Sequence, residues 1–435
     1  MSLWTPYQSR VRLGQLTERT DIPSGKGPCH TYPGYKTVYP EVVIKALEAL
    51  YLEYNGAFSS LIEANKEWDE DYQFCLESGV PLNYAVQIDM AGLTDKFLSR
   101  AATLSVSEVM ELLRFEIFEV ENSVAVYPLL RGMFPRDPYP SHFLTRFDAV
   151  LAGIKKRHGK RPIALLAVTD DKYQAICEGE FGIVGRHPAD DEVKALSGFD
   201  RLFGPDEFRA YIEQNGGTCD YLLYVRSSDP VAKLTDPSLK VDQPLLGDAT
   251  MRRVIKAHSI TINIDAPDMS FRRRINDTKA YMPRMGMAHP IDSVDDLQGL
   301  PFRWFLQGRG VNPEHVMMGL IPLRAKPMKG TYGCYGHISG FMDSGFPRKL
   351  RNQMSRGRGA YVVQPELPAH IVQDEDTGVQ YNVIDRIFFG LIRDGKPFFL
   401  QGFRSMMPVE SHEAHKGRNH GNVDTVWAEV EGGRT

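Results

Sequence analysis

The sequence lacks several features that mark whole classes of protein. It has no run of 18 apolar residues, and its first ten residues, MSLWTPYQSR, lack the apolar core of a secretory signal. A net charge of -4 over 435 residues provides no general attraction to nucleic acid or to an anionic membrane. We therefore expect a cytoplasmic protein that binds small molecules rather than nucleic acid or lipid.

Cysteine pairs and the two commonest nucleotide motifs are also missing. The five cysteines are scattered and form no C-x-x-C pair, which argues against a disulfide framework and against a zinc site. No G-x-x-x-x-G-K-[ST] segment is present, and no G-x-G-x-x-G opens a helix at the glycine-rich segment described below. The P-loop and the dinucleotide-binding βαβ fold are therefore disfavoured.

The first 159 residues predict a largely helical region. Residues 1–40, rich in glycine, proline and tyrosine, predict an irregular surface arm. Apolar residues then recur at helical spacing from 40 to 65, and Ser105 with Glu108 forms a capping-box pattern before a second helix. From Phe115 the sequence FEIFEVENSV is typical of a strand.

Residues 160–275 predict a small βαβ domain. The run RPIALLAVTDD reads as a buried parallel strand, and helical and strand-like segments alternate after it. The composition fits a three- or four-stranded parallel sheet.

Residues 276–435 predict longer strands joined by tight turns. Arg393-Asp394-Gly395-Lys396 indicates a hairpin between two of them. The basic, glycine-bearing segment 341–359 predicts a mobile lid that phosphate would order.

The segment IPLRAKPMKGTYGCYGHISG indicates a polyphosphate site. Lys326 follows a short apolar run and precedes Gly330, Gly333 and Gly336. An ammonium group pairs with phosphate oxygens, and glycine lets backbone N–H groups approach them closely.

Further polar residues follow in a fixed order along the second half of the chain. Lys279 follows the βαβ domain, and Gln364, Glu366 and Leu367 lie at the end of the strand AYVVQPEL. Arg386 and Arg404 flank the predicted hairpin. With Ala325-Lys326-Pro327 and Tyr361-Val362-Val363-Gln364, this order resembles that of the ATP-grasp ligases over about residues 160–430.

The metal-binding segment of an ordinary ATP-grasp chain, an acid followed by Glu-x-Asn near the end, is absent here. The circularly permuted branch, which includes glutathionylspermidine synthetase, carries that segment before the βαβ domain. Residues 115–124 stand in this place, so either Glu119 or Glu121 would pair with Asn122. The upstream acid would be Asp89 or Glu116. Because strand alternation separates Glu119 from Asn122, we expect a bulge or strand end at Glu121.

The resemblance implies an α/β (α+β) fold: a permuted ATP-grasp unit, a small pre-ATP-grasp domain and a helical N-terminal region. It also implies an ATP- and Mg²⁺-dependent ligase that joins a small carboxylate to a small amine through an acyl phosphate. Lys279, Lys326 and the glycine loop would hold phosphates, the segment from Gln364 to Leu367 would contact adenine, and Arg386 and Arg404 would be catalytic. The alternative is a nucleotide-binding protein that has lost ligase activity.

Overall fold

The computed structural model describes residues 7–13, 17–19, 29–64, 85–114, 116–121, 151–156, 158–170, 173, 198–226, 245, 248–260, 281–299, 314, 318–328, 337–342, 345–355, 360–366, 370–391, 397–409 and 424–430. Within these ranges it is a mixed α/β protein with three separate β-sheets. None of the helices it describes combines the length and apolarity needed to cross a membrane.

The strands are numbered in chain order. They are β1 (Tyr7–Val11), β2 (Thr17–Arg19), β3 (Cys29–Tyr39), β4 (Ala85–Ala91), β5 (Ile117–Glu121), β6 (Ile163–Ala167), β7 (Arg201–Phe203), β8 (Leu222–Arg226), β9 (His289–Ile291), β10 (Leu323–Pro327), β11 (Ile338–Gly340), β12 (Tyr361–Pro365), β13 (His370–Asp374), β14 (Gln380–Leu391), β15 (Pro397–Pro408) and β16 (Asp424–Val430).

The helices are numbered in the same way. They are α1 (Glu41–Ala64), α2 (Asp95–Ala101), α3 (Val106–Arg114), α4 (Pro205–Gln214), α5 (Ala249–His258), α6 (Tyr281–Arg284) and α7 (Phe346–Gln353), with a 3-10 helix at Val294–Gly299.

The largest sheet has nine strands and combines both ends of the chain. Seven strands pair in the order β1-β13-β14-β15-β16-β3-β2. In addition, β4 pairs with β14, and β5 pairs with β4. The expectation of an irregular arm over residues 1–40 is wrong for the described strands, because β1 runs parallel to β13 and β3 runs parallel to β16. These strands gain their hydrogen bonds from segments more than 350 residues away, which local composition does not reveal.

One face of this sheet is covered by helix α1, as the helical spacing predicted. Its buried residues, among them Leu47 and Tyr51, belong to one apolar cluster with Ile88 of β4 and Phe389 of β14. The predicted capping box opens α3, where the Ser105 amide donates to Glu108 at 2.9 Å and the Glu108 amide donates to Ser105 Oγ at 3.3 Å.

The predicted βαβ unit is confirmed as a three-stranded parallel sheet in the order β7-β6-β8. Every residue of the central strand β6 is buried, and Ala164 and Leu166 belong to one apolar cluster with side chains of α4 and α5. Asp248 caps α5 by accepting from the amides of Thr250 (2.8 Å) and Met251 (3.1 Å).

The third sheet has four strands in the order β11-β10-β12-β9, with antiparallel pairing throughout. Within the segment 341–359, for which a mobile lid is predicted, the structure describes helix α7. Phe346 and Leu350, four residues apart, lie on one side of α7 and are buried against this sheet.

Candidate functional site

The two faces of the four-stranded sheet differ sharply in polarity. One face carries buried apolar residues, including Leu323, Ala325 and Val363, which form the core with α7. The other face carries Arg324, Lys326 and Gln364, of which only 9%, 2% and 4% of the surface is exposed. Arg324 and Lys326 are two residues apart on β10, so their side chains lie on the same face. Gln364 lies directly opposite Arg324 on β12 and shares that face.

A row of charged residues crosses three neighbouring strands of the large sheet. Glu119 of β5 lies opposite Asp89 of β4, and Asp89 lies opposite Arg386 of β14. The Arg386 guanidinium contacts Asp89 Oδ2 at 3.1 Å, while the Gln87 side chain donates to Asp89 Oδ1 at 2.5 Å. Residues directly opposite one another share a face, so this row forms one polar surface.

The polar face of the small sheet contacts strand β5 at Phe118. The pairing of β4 with β5 shifts register between Asp89 and Met90, so Phe118 forms a bulge between Ile117 and Glu119. The Lys326 ammonium donates to the carbonyl oxygen of Phe118. The lysine head group therefore lies beside the backbone of Glu119.

The bulge also settles which acids of β5 share a face. It brings both Ile117 and Val120 into the apolar core beneath α1, and it leaves Glu119 in the row with Asp89. Glu121 is the last residue of the strand and lies opposite Gln87. Because it is two residues after Glu119, its register position is on the same face as Glu119. A bulge or a strand end was predicted at Glu121; the described strand ends at Glu121, and its bulge lies at Phe118. Asn122 lies outside the described residues.

Arg404, predicted as a second catalytic arginine, lies on the other face of the sheet from Arg386. Its guanidinium donates to both carboxylate oxygens of Asp385, at 2.7 and 3.0 Å, and to the Leu93 carbonyl at 2.7 Å. Asp385 also accepts from the Leu93 amide at 2.8 Å. Arg404 is 2% exposed and Asp385 is fully buried. The pair therefore stabilises the turn after β4 and does not face the row formed by Glu119, Asp89 and Arg386.

A buried histidine holds the same turn. The Nδ1 atom of His370 lies 3.1 Å from the Gly92 carbonyl, which only accepts hydrogen bonds, so Nδ1 carries a proton. Burial, and then the positive charge of Arg404, lower the pKa of His370 to about 4. The ring is therefore neutral near pH 7, and its Nε2 accepts from the Ser9 hydroxyl at 2.9 Å.

The predicted adenine-contacting segment is described only in part. Gln364 is buried with Lys326, and its Oε1 atom has no hydrogen-bond partner among the residues that the structure describes. The Glu366 amide donates to the Pro322 carbonyl at 2.8 Å. Other predicted ligand residues, namely Leu367, Lys279, Gly330, Gly333 and Gly336, lie outside the described residues.

Two residues of the site were missed by the sequence reading. Arg324 precedes Lys326 by two residues, so strand periodicity could have placed both on one face. Gln87 precedes Asp89 by two residues in the same way. A polar residue every second position in an otherwise apolar strand was the available signal.

The carboxylate oxygens in the row of Glu119, Asp89 and Arg386 are the kind of ligand that a hard divalent cation binds, but there are few of them. Asp89 and Glu119 are carboxylates on adjacent strands, which is the ligand chemistry that Mg²⁺ prefers. Across the parts of the chain that are described, no three acidic, histidine or cysteine side chains come together as a metal cluster. A metal here would therefore need further oxygens, such as those of a bound phosphate.

The chain matches no model of a protein family, and a search of curated proteins finds none similar enough in sequence to count as a relative.

Proposed function

We propose that the protein is an ATP- and Mg²⁺-dependent ligase of the permuted ATP-grasp type, which joins a carboxylate to an amine. The observation that carries the proposal is the contact of Lys326 with the Phe118 carbonyl. This contact places a buried lysine of the small sheet next to β5, the strand that carries Glu119, although Phe118 and Lys326 are 208 residues apart in the chain.

The charges of the two surfaces are complementary to a metal-bound polyphosphate. Lys326 and Arg324 would neutralise phosphate oxygens from one side, since hydrogen bonds from cationic groups to phosphate are strong. Asp89, Glu119 and Glu121 would hold Mg²⁺ from the other side, and the bound metal would supply charge neutralisation between the phosphates.

The chemistry assigned to the site has two steps. A carboxylate oxygen of the first substrate attacks the γ-phosphorus of ATP, and the bond to ADP breaks. The amine nitrogen of the second substrate then attacks the acyl carbon, releases inorganic phosphate and loses a proton as the amide forms. Arg386, held beside the row by Asp89, would steady the transferred phosphoryl group.

One observation favours the alternative of a nucleotide-binding protein without ligase activity. Both carboxylate oxygens of Asp89 already accept contacts, one from Arg386 and one from Gln87. ATP affinity that does not respond to Mg²⁺, with no turnover of any substrate, would support this alternative.

Calorimetric titration of ATP with and without Mg²⁺ tests the nucleotide site. Replacing Lys326 by Met keeps the aliphatic volume and removes the charge, and a buried charge-assisted contact contributes roughly 1.5–3 kcal/mol. We expect ATP affinity to fall about tenfold or more. The matched control is Lys349→Met, because Lys349 is exposed on α7.

Release of ADP on adding pools of carboxylates with amino acids, peptides or polyamines tests the ligase chemistry. Amine-dependent ADP release by the wild type and its loss in Lys326→Met is the expected result. A wild-type protein that binds no ATP would refute the proposal.

A further inference from the structure

The strand that carries Glu119 is an edge strand whose outer edge is covered by side chains. Among the described strands, β5 pairs only with β4. In an antiparallel pair, the backbone groups of alternate residues point away from the partner strand and need other partners. The Phe118 carbonyl accepts from Lys326 of β10. Both backbone groups of Val120 contact the hydroxyl of Tyr281, the first residue of α6. These two side chains therefore stand where a further strand would pair.

The Tyr281 hydroxyl both accepts from and donates to a single residue. It accepts from the Val120 amide at 2.9 Å and donates to the Val120 carbonyl at 3.3 Å. A tyrosine hydroxyl has one proton to donate and lone pairs with which to accept, so both bonds can form together. Only 2% of the Tyr281 surface is exposed, so water has little access to compete for either bond. The contact therefore fixes the backbone immediately after Glu119.

Tyr281 is itself held in place by residues of two other helices. Its ring packs edge-on against the ring of Tyr54 in α1, with the centroids 4.9 Å apart and an interplanar angle of 85°. The residue that follows α6, Met285, accepts through its carbonyl from Arg114 of α3 at 2.9 Å. Arg114 also forms an ion pair with Glu53 of α1 at 2.5 Å. The hydroxyl is therefore anchored independently of the strand that it contacts.

Resting on the proposed function, we propose that Tyr281 is a positioning residue for the metal-binding acid Glu119. Glu119 lies between the bulge at Phe118 and the residue that Tyr281 holds, Val120. A bulge disrupts the strand ladder locally, so β4 alone holds this part of β5 less firmly than a regular strand. A ligand kept within a narrow range of positions by its surroundings binds metal more tightly. In this role Tyr281 touches neither metal nor nucleotide and acts through the backbone of β5.

The experiment removes one oxygen atom with the substitution Tyr281→Phe, which keeps the ring and its packing. Calorimetric titration of ATP with and without Mg²⁺ measures the gain in ATP affinity that the metal provides. Hydrogen exchange in a peptide that contains Val120, measured without ATP or Mg²⁺, reports the hydrogen bond itself. Thermal unfolding of each variant establishes that it is folded.

Two further variants complete the comparison. Tyr211→Phe is the matched control, because it removes a hydroxyl that donates to Asp220 at 3.3 Å in the βαβ unit, away from β5. Arg114→Gln weakens the anchor of α6 at the Met285 carbonyl. The Arg114 side chain is partly exposed, so this variant serves as the test if Tyr281→Phe does not fold.

In Tyr281→Phe we expect faster exchange of the Val120 amide, unchanged ATP affinity without Mg²⁺, and a gain on adding Mg²⁺ about fivefold smaller than in the wild type. Arg114→Gln should reduce the gain by a smaller factor, and Tyr211→Phe should leave it unchanged. A gain equal to that of the wild type in folded Tyr281→Phe, or in Arg114→Gln where Tyr281→Phe does not fold, would overturn the positioning role. An equal loss of ATP affinity with and without metal would also overturn it. A wild type that binds no ATP, or gains no affinity from Mg²⁺, would instead refute the proposed function.

Discussion

Replacing Arg404 by Met should destabilise the protein more than any other single change considered for the large sheet. The substitution removes three hydrogen bonds, two to Asp385 and one to the Leu93 carbonyl. Asp385 is completely buried and would keep the Leu93 amide as its remaining donor among those described above. A buried carboxylate would then lack its counter-charge.

The expected magnitude follows from that uncompensated charge. Removing one partner of a buried ion pair costs about 3–5 kcal/mol, whereas replacing both partners costs much less. The double variant Asp385→Asn/Arg404→Met should therefore be more stable than Arg404→Met alone, because an asparagine oxygen still accepts from the Leu93 amide and carries no charge.

Equilibrium denaturation of both variants measures the free energy of unfolding, with Arg351→Met as a control at an exposed arginine. Hydrogen exchange in a peptide that contains Leu93 reports the local effect, since its amide should lose protection in Arg404→Met. A loss of less than about 1 kcal/mol with unchanged protection of Leu93 would refute the structural role of the pair.

Two further predictions concern titratable groups. In the absence of metal, Asp89→Asn should leave the ATP affinity unchanged or raise it. The gain in ATP affinity on adding Mg²⁺ should fall by about tenfold or more, as measured by calorimetry at several Mg²⁺ concentrations. A gain equal to that of the wild type would exclude Asp89 as a metal ligand. The pKa of His370 is lowered from 6.5 to about 4 by burial and then by Arg404, so the unfolded state binds the proton more readily. Stability from His370 is complete above pH 6.5 and is lost as pH falls towards 4, by roughly 2 kcal/mol between pH 7 and pH 5. Denaturation at the two pH values should show a smaller difference in His370→Asn, and an equal difference would contradict the argument.

Local physical chemistry made several elements predictable from the sequence alone. The apolar spacing after Pro40 predicted α1, and the Ser105–Glu108 pattern predicted the start of α3. The continuous apolar run from Ile163 predicted a buried parallel strand, because only a sheet covered on both faces accepts it. The hairpin signal at residues 393–396 is confirmed by the antiparallel pairing of β14 with β15. Each of these signals lies within one continuous segment of the chain.

The alignment of the candidate site was decided by tertiary structure. Glu119, Asp89 and Arg386 form one row because β5, β4 and β14 pair in a particular register, and a shift of one residue would reverse every face. The register of β15 on β14 places Arg404 opposite Asp385, on the other face of the sheet, where Asp385 neutralises it. Both arginines carry the same charge and lie in similar strands, so residue type could not distinguish their roles. Residue type thus indicated only candidates for phosphate and metal binding, whereas strand register and the bulge at Phe118 decided which of these side chains share a face.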